Sequence, residues 1–276
     1  MIEALEVLRP GALTTVQDLG RPGLAHLGVP RSGAADRPAH TLANRLAGNP
    51  PDAATLETTL TGVRVRALAD VVVAVTGAYA QITVDGVPAP WGEPIGLGAG
   101  ATLTIGTAKR GVRSYLAVAG GIAVPPTLGS RSYDVLSGLG PQPLRAGDVL
   151  PAGEPAGPPA WAAAIPQEYG DLVLPLEPGP RTDWCATPVG FYTVSAASNR
   201  IALRLDGPPV ARLVPGELPS EGLVPGAVQI PPDGQPVIFL ADHPVTGGYP
   251  VVGVVGATFL AACAQARPGT KASFTR

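Results

Sequence analysis

Side chains able to do chemistry sit in a few short polar stretches of this chain. Thr14-Thr15-Val16-Gln17-Asp18-Leu19-Gly20-Arg21 gathers four hydrogen-bonding side chains and a cation, with Gln17 and Arg21 as candidate ligand contacts. Ser32-Gly33-Ala34-Ala35-Asp36 sets a hydroxyl and an acid just ahead of a helix-forming run. A helix start presents N–H groups suited to phosphate or carboxylate, whereas Ser32 and Asp36 could equally serve only as caps. Glu57 interrupts the run Ala54-Thr55-Leu56-Glu57-Thr58-Thr59-Leu60. A carboxylate there faces either solvent or a cleft, and the run alone favours solvent. Ser220-Glu221-Gly222 and Gln229 repeat the mix of hydroxyl, carboxylate and amide. Last, Asp242-His243-Pro244-Val245-Thr246-Gly247-Gly248-Tyr249 surrounds a double glycine with groups that could move protons. Such a loop either brings backbone close to a ligand or is a polar turn between strands.

Several chemistries are excluded. There is no GxxxxGK followed by Ser or Thr, so ATP, if used, is not held by a P-loop of this chain. No HExxH and no paired CxxC occurs, and His26, His40 and His243 are isolated, which argues against a transition-metal site. A GxSxG elbow is also missing. Cys185 and Cys263 are well separated and read as ordinary thiols rather than a disulfide.

The elements that must position these groups are mostly strands. Short β-branched runs closed by Gly, Pro or Asp recur at 71–77, 81–84, 101–106, 113–119, 228–230, 237–240 and 251–255. Asp85-Gly86 is a strong hairpin turn. Two helices are expected. One spans 36–46, with Asp36 as N-cap and Gly48-Asn49-Pro50-Pro51 as its stop; the other spans 257–266, ended by Arg267-Pro268-Gly269. The segment 150–166, LPAGEPAGPPAWAAAIP, reads as a linker. Ser32 to Arg37 is echoed 163 residues later by Ser195 to Arg200, which suggests two related β-barrel halves, 1–155 and 165–276, with strands open to exchange between them.

The 276 residues include 36 Gly and 33 Pro without a repeat period, as expected of many tight turns. With 45% hydrophobic and 14% charged residues the chain can bury a sizeable core. A net charge of −2 gives no general attraction to nucleic acid or anionic membrane. No window approaches a membrane span, and the N-terminus has no apolar signal region, so a cytoplasmic setting is expected.

In order, TTVQDLGRPG, GVPRSGAADRPAHTLANRLAGN, ATLETTLTG, SYLAVAGGIAVPPTLGSRS, GDVLP, SNRIALRLDG, SEGLVPGAVQIP and LADHPVTGGYPVVG resemble the family of 5-oxoprolinase C subunits, also called allophanate hydrolase subunit 2 or biotin-dependent carboxyltransferase-like. The resemblance runs from about Leu5 to Phe274. It implies a mainly β fold of two cyclophilin-like β-barrels with a few short helices. It also implies a hetero-oligomer with a B subunit, of the allophanate hydrolase subunit 1 type, and a third subunit. Such complexes open 5-oxo-L-proline to L-glutamate with ATP. The family's SGA-x-D falls on Ser32, Gly33, Ala34 and Asp36, and its TTVQD on Thr14 to Asp18. Its SEG/Q stretch falls on Ser220, Glu221, Gly222 and Gln229, and its TGGY on Thr246, Gly247, Gly248 and Tyr249. Departures are Ala35 where methionine is common, Ile201-Ala202-Leu203 in place of Met-Gly-Tyr, and a shortened Gly-rich stretch at 137–141.

Opening a lactam needs a polarised carbonyl, donors for anionic oxygens and a proton acceptor. Asp36, Glu57, Asp242 and His243 are then the candidate acid, base or Mg²⁺-linked groups. Arg21, Ser32, Gly33 and the start of the following helix are candidates for an anionic group. Two other family roles are implied: a regulatory subunit that antagonises a kinase-inhibiting partner, and carboxylation or hydrolysis of urea or allophanate. Biotin for the latter would come from another chain, because Met1 is the only methionine and no Met-Lys attachment motif exists.

Overall fold

A computed structural model describes residues 1–275. These residues are mainly β, with two α-helices, as expected. No helix among the described residues is long and apolar enough to cross a membrane. The chain forms two compact units. The first holds Met1–Arg21, Asp36–Tyr133 and Gly138–Glu168; the second holds Pro22–Ala35, Asp134–Ser137 and Tyr169–Arg276.

In the first unit the strands are β1 (Ile2–Arg9), β2 (Thr14–Gln17), β3 (Thr55–Thr59), β4 (Arg64–Ala67), β5 (Val71–Tyr79) and β6 (Ile82–Val84). They continue with β7 (Val87–Ala89), β8 (Pro94–Leu97), β9 (Thr102–Ile105), β10 (Arg110–Val118) and β11 (Val149–Ala152). One sheet has the order β11-β1-β4-β9-β6-β7 and the other β2-β3-β10-β5-β8. Both contribute to one apolar core that includes Leu5, Val16, Leu56, Val65, Val75, Leu103 and Leu116. The β6–β7 hairpin turns on Asp85 and Gly86, both at positive φ (50° and 82°), the geometry this dipeptide favours.

Helix α1 (Arg37–Leu46) lies on the second sheet, against β3, β5 and β10. Asp36 caps it by accepting the Ala39 N–H at 3.0 Å, and proline sits in its first turn.

The second unit is a closed barrel. Its strands are β12 (Leu172–Pro178), β13 (Tyr192–Val194), β14 (Ala202–Asp206), β16 (Ala227–Gln229), β17 (Val237–Phe239), β19 (Val251–Val255) and β20 (Lys271–Thr275), in the order β12-β19-β16-β17-β14-β13-β20. A parallel pairing of β12 with β20 closes it, Leu172 opposite Ala272. A small ladder joins β15 (Glu221–Gly222) to β18 (Thr246–Gly247), and α2 (Ala257–Gln265) packs against β12. Alternating residues such as Leu172, Leu174, Leu203 and Leu205 fill the barrel, as the period of two requires.

The echoed segments adopt different structures. Arg37 opens α1, whereas Arg200 lies in a turn before β14, with Asn199 Oδ1 accepting the Ile201 and Ala202 N–H groups.

Candidate active site

The first unit places Glu57 where the sequence run did not suggest. In β3, Leu56 points into the core, so Glu57 points to the opposite face, the one α1 covers. Register aligns Thr15, Glu57, Tyr115 and Thr76 in one row across β2, β3, β10 and β5. Each has a core residue as its neighbour in sequence: Val16, Leu56, Leu116 and Val75. The row is therefore a polar seat for the helix, and Glu57 is 1% exposed rather than on a solvent face.

Tyr115 Oη donates to Glu57 at 2.8 Å and accepts the Asp36 N–H at 2.7 Å. Arg113 Nε lies 3.5 Å from Glu57 Oε1. Thr76 Oγ1 donates to the Ala39 carbonyl at 2.6 Å. Burial first, then the charges of Glu57 and Asp36, hold the Tyr115 phenol well above its usual range, so it stays protonated as the donor. Asp36 and Glu57 thus seat and cap α1. Tyr115→Phe would remove from the interior both hydrogen bonds of Tyr115 Oη, the one to Glu57 and the one from the Asp36 N–H. We expect it to lower stability by about 1–3 kcal/mol in urea unfolding.

His40, on the buried face of α1, completes this layer. Its Nε2 lies 3.1 Å from the Pro51 carbonyl and its Nδ1 2.9 Å from Thr55 Oγ1, which assigns the proton to Nε2. Burial pushes His40 and His243 below the ordinary value of 6.5. The unfolded chain therefore takes up protons at a higher pH than the folded chain. The contribution of these two groups is complete above pH 6.5 and declines as pH falls below it, towards the lowered folded values. Urea midpoints should fall across that window, and His40→Gln should flatten the fall.

Asp18 and Arg21 organise a loop of the first unit. Asp18 accepts Ser130 Oγ and Ser132 Oγ, both at 2.6 Å, together with the N–H groups of Gly20 and Arg131. Arg21 donates to the carbonyls of Thr127 and Ser132. Gln17 Nε2 donates to Thr15 Oγ1 and to the Tyr133 carbonyl. These contacts tie the TTVQD and GSRS stretches together.

The second unit builds a different cluster. Arg200 and Asp242 form a fully buried pair, with Nε on Oδ2 at 2.8 Å and Nη2 on Oδ1 at 2.9 Å. Ser32 Oγ donates to Asp242 Oδ1 at 2.7 Å, and the Val135 N–H to Oδ2 at 3.1 Å. Arg200 Nη2 also donates to the Gly33 carbonyl at 2.7 Å. Ser32 and Gly33 stand at φ 55° and 103°, and the serine's left-handed conformation is held by its hydroxyl bond to Asp242. One ion pair therefore fixes two loops, 32–33 and 134–135, beside the barrel turn that carries His243.

His243 is 5% exposed and packs near the Phe239 ring. Its Nδ1 lies 2.7 Å from the Pro244 carbonyl, which can only accept, so the proton belongs on Nδ1 and Nε2 carries the lone pair. Because burial lowers its pKa, the ring is neutral at pH 7 and Nε2 can act as a base.

Of the two glycines, Gly247 serves packing. A Cβ on Gly247 would stand 2.7 Å from Gln229 Nε2 and 2.9 Å from Leu223, and Gln229 itself donates to the Tyr249 carbonyl at 3.0 Å. Gly248 faces the Leu218 carbonyl. Glu221 pairs with Arg181, which holds its carboxyl below the usual range, and lies opposite Gly247 in the β15–β18 ladder. Thr246 and Tyr249 are exposed at the edge of this group. The close backbone approach here is to Gln229 and Leu223.

The donor set does not fit a nucleotide with its metal. The Asp36 carboxylate already fills the N-terminus of α1, where phosphate would meet like charge. Ser32 Oγ is committed to Asp242. Among the described residues, no three His, Cys, Asp or Glu side chains come together to hold a metal ion. Asp134, Val135 and Arg200 belong to the second-unit cluster but carry no separate motif; the Ser-Asn-Arg echo was the available signal for Arg200.

Comparison with known proteins agrees with this architecture. The family model for the carboxyltransferase domain, subdomain A and B, matches residues 27–276. The chain is 39% identical to the 5-oxoprolinase C subunit of Escherichia coli over 91% of its own length and 84% of that protein's. It is 34% identical to urea amidolyase of Lachancea kluyveri, covering 98% of this chain but 17% of that one. A crystal structure of TTHA0988 superposes with a TM-score of 0.90 at 40% identity, and this chain covers 56% of it. K. lactis urea amidolyase gives a TM-score of 0.92 at 31% identity, with 18% of that chain covered. The protein belongs to the family of carboxyltransferase domains with subdomains A and B.

Proposed function

We propose that this chain is the C subunit of an ATP-dependent 5-oxoprolinase, acting with a B subunit and a third subunit to open 5-oxo-L-proline to L-glutamate. What carries the reading is 39% identity to the E. coli C subunit over 91% of this chain, against 34% to the urea amidolyase of Lachancea kluyveri. In urea amidolyase the same sequence corresponds to 17% of a much longer chain. ATP and its metal are assigned to the partner subunits, since Asp36 and Ser32, the groups best placed for an anion and its counter-charge, are engaged internally.

This chain's part is proton handling and substrate positioning at the His243 cluster. His243 Nε2 accepts a proton from water as its oxygen attacks the lactam carbonyl carbon. The C–N bond then breaks, and the proton passes to the departing ring nitrogen, which becomes the amine of glutamate. The Arg200–Asp242 pair keeps the surrounding loops in place. Carboxylation of urea is the second reading, supported by the family description and the urea amidolyase matches.

To separate the two, the chain is purified with its own B and third subunits and supplied with 5-oxoproline and ATP, or with urea, bicarbonate and a biotinylated carrier. Glutamate formation with no urea-dependent turnover is expected. Urea carboxylation without glutamate formation overturns the proposal.

A further inference from the structure

One end of the barrel is not filled. A cavity of about 680 Å³ lies wholly within the second unit. Its floor comes from β12, β19 and β20, with Leu176, Val252 and Phe274, and its roof from the loop 182–189. Packed interiors leave few voids larger than a water molecule, so a space of this size is not a packing fault. A small closed barrel has room either for its own side chains or for one small ligand, and barrel mouths are recurrent ligand sites. The volume lies within the range of such sites, roughly 300–1,000 Å³.

The roof is tied to a neighbouring segment of chain. The Ala186 N–H donates to the Ala211 carbonyl and the Leu213 N–H to the Trp184 carbonyl, both at 2.8 Å. The Arg212 guanidinium lies over the Trp184 ring, 5.5 Å from its centroid. Arg181, at the start of the loop, is paired with Glu221. These ties fix the loop above the floor, and Cys185 and Ala186 are too small to fill the space beneath it.

The lining sets the chemistry of an occupant. None of the described residues that form it carries a charged side chain. Cys185 and Val252, 2% and 5% exposed, form the deep end. Burial pushes the Cys185 thiol up, so it stays neutral. The hydroxyl-bearing residues Thr182, Thr187 and Thr275 are exposed and stand on the outer side. An ion would lose its water at the deep end and gain no counter-charge there. That rules out nucleotides, and it rules out 5-oxoproline, whose carboxylate is ionised.

We propose that this cavity binds a neutral small molecule, its apolar body against Cys185 and Val252 and a hydroxyl, ester or amide group towards the threonines. The site shares no residue with the His243 cluster and does not rest on the 5-oxoprolinase reading.

The probe is Nile red, a neutral dye whose fluorescence rises in apolar surroundings, titrated into the full chain. Saturable binding of one dye per chain is expected. 1-Octanol should displace it at a concentration at least about tenfold below octanoate, because only octanoate brings a charge. This comparison needs no variant. Ala186→Phe fills the cavity, and Thr182→Trp blocks it from the exposed side, where a large side chain leaves folding intact. Each should weaken the dye by more than about tenfold, with urea unfolding as the check on the fold. Phe191→Ser removes a 77% exposed aromatic outside the lining and should leave the affinity within about twofold. Absence of saturable binding overturns the inference, as does octanoate displacing the dye as well as 1-octanol. Binding that survives both cavity variants, or that is lost with Phe191→Ser, assigns the dye to a surface patch and overturns it too. Displacement of the dye by the partner subunits and not by 1-octanol would make the cavity a protein contact, again against the inference.

Discussion

Asp242→Ala lowers the stability of the protein by about 3–5 kcal/mol, because it takes the carboxylate from a buried guanidinium. Arg200 is 2% exposed and directs two nitrogens at this carboxylate, so both bonds are lost from a charge held in the interior. The same truncation frees Ser32 Oγ and the Val135 N–H, loosening both loops. Urea unfolding measures the loss. Replacing both charges, Arg200→Met with Asp242→Leu, should recover most of it, since an apolar pair of similar volume is close to neutral in such sites. A single variant losing under about 1 kcal/mol would mean that the pair does not fasten these loops.

His243→Gln cuts kcat by about 100- to 10,000-fold in the complete complex while KM changes little, the pattern expected when a general base is removed and binding is kept. The pH profile carries further information. In the proposed role Nε2 would work only as the free base, and burial places its pKa below the ordinary 6.5. The acid limb of kcat/KM for the wild type should therefore lie below pH 6.5, and the Gln variant should lack it. An acid limb that survives in the variant would assign the titration to another group.

Local signals in the sequence translated well. The Asp36 cap, the proline of the first helical turn and the Asp85-Gly86 hairpin each depend on neighbours within about four residues, and each appears as read. Strand alternation was also legible. What it could not reveal was the cover: Glu57 alternates correctly with Leu56, but the face it points to is closed by the helix Arg37–Leu46, earlier in the chain. The second-unit cluster lies further beyond local reasoning. Ser32 and Asp242 are 210 positions apart. The double glycine reads equally as room for a ligand and as a polar turn between strands, and at Gly247 the space is taken by Gln229 and Leu223. Ligand approach and internal close packing make the same demand on backbone, so glycine alone does not distinguish them.

The most direct measurement is ADP release with and without 5-oxoproline, from the complete set of subunits and from the set lacking this chain. Substrate-dependent release should require the chain and fall to the substrate-free rate without it. Equal substrate-dependent release in its absence, or none from the complete set, would contradict its assignment as a working subunit of the enzyme.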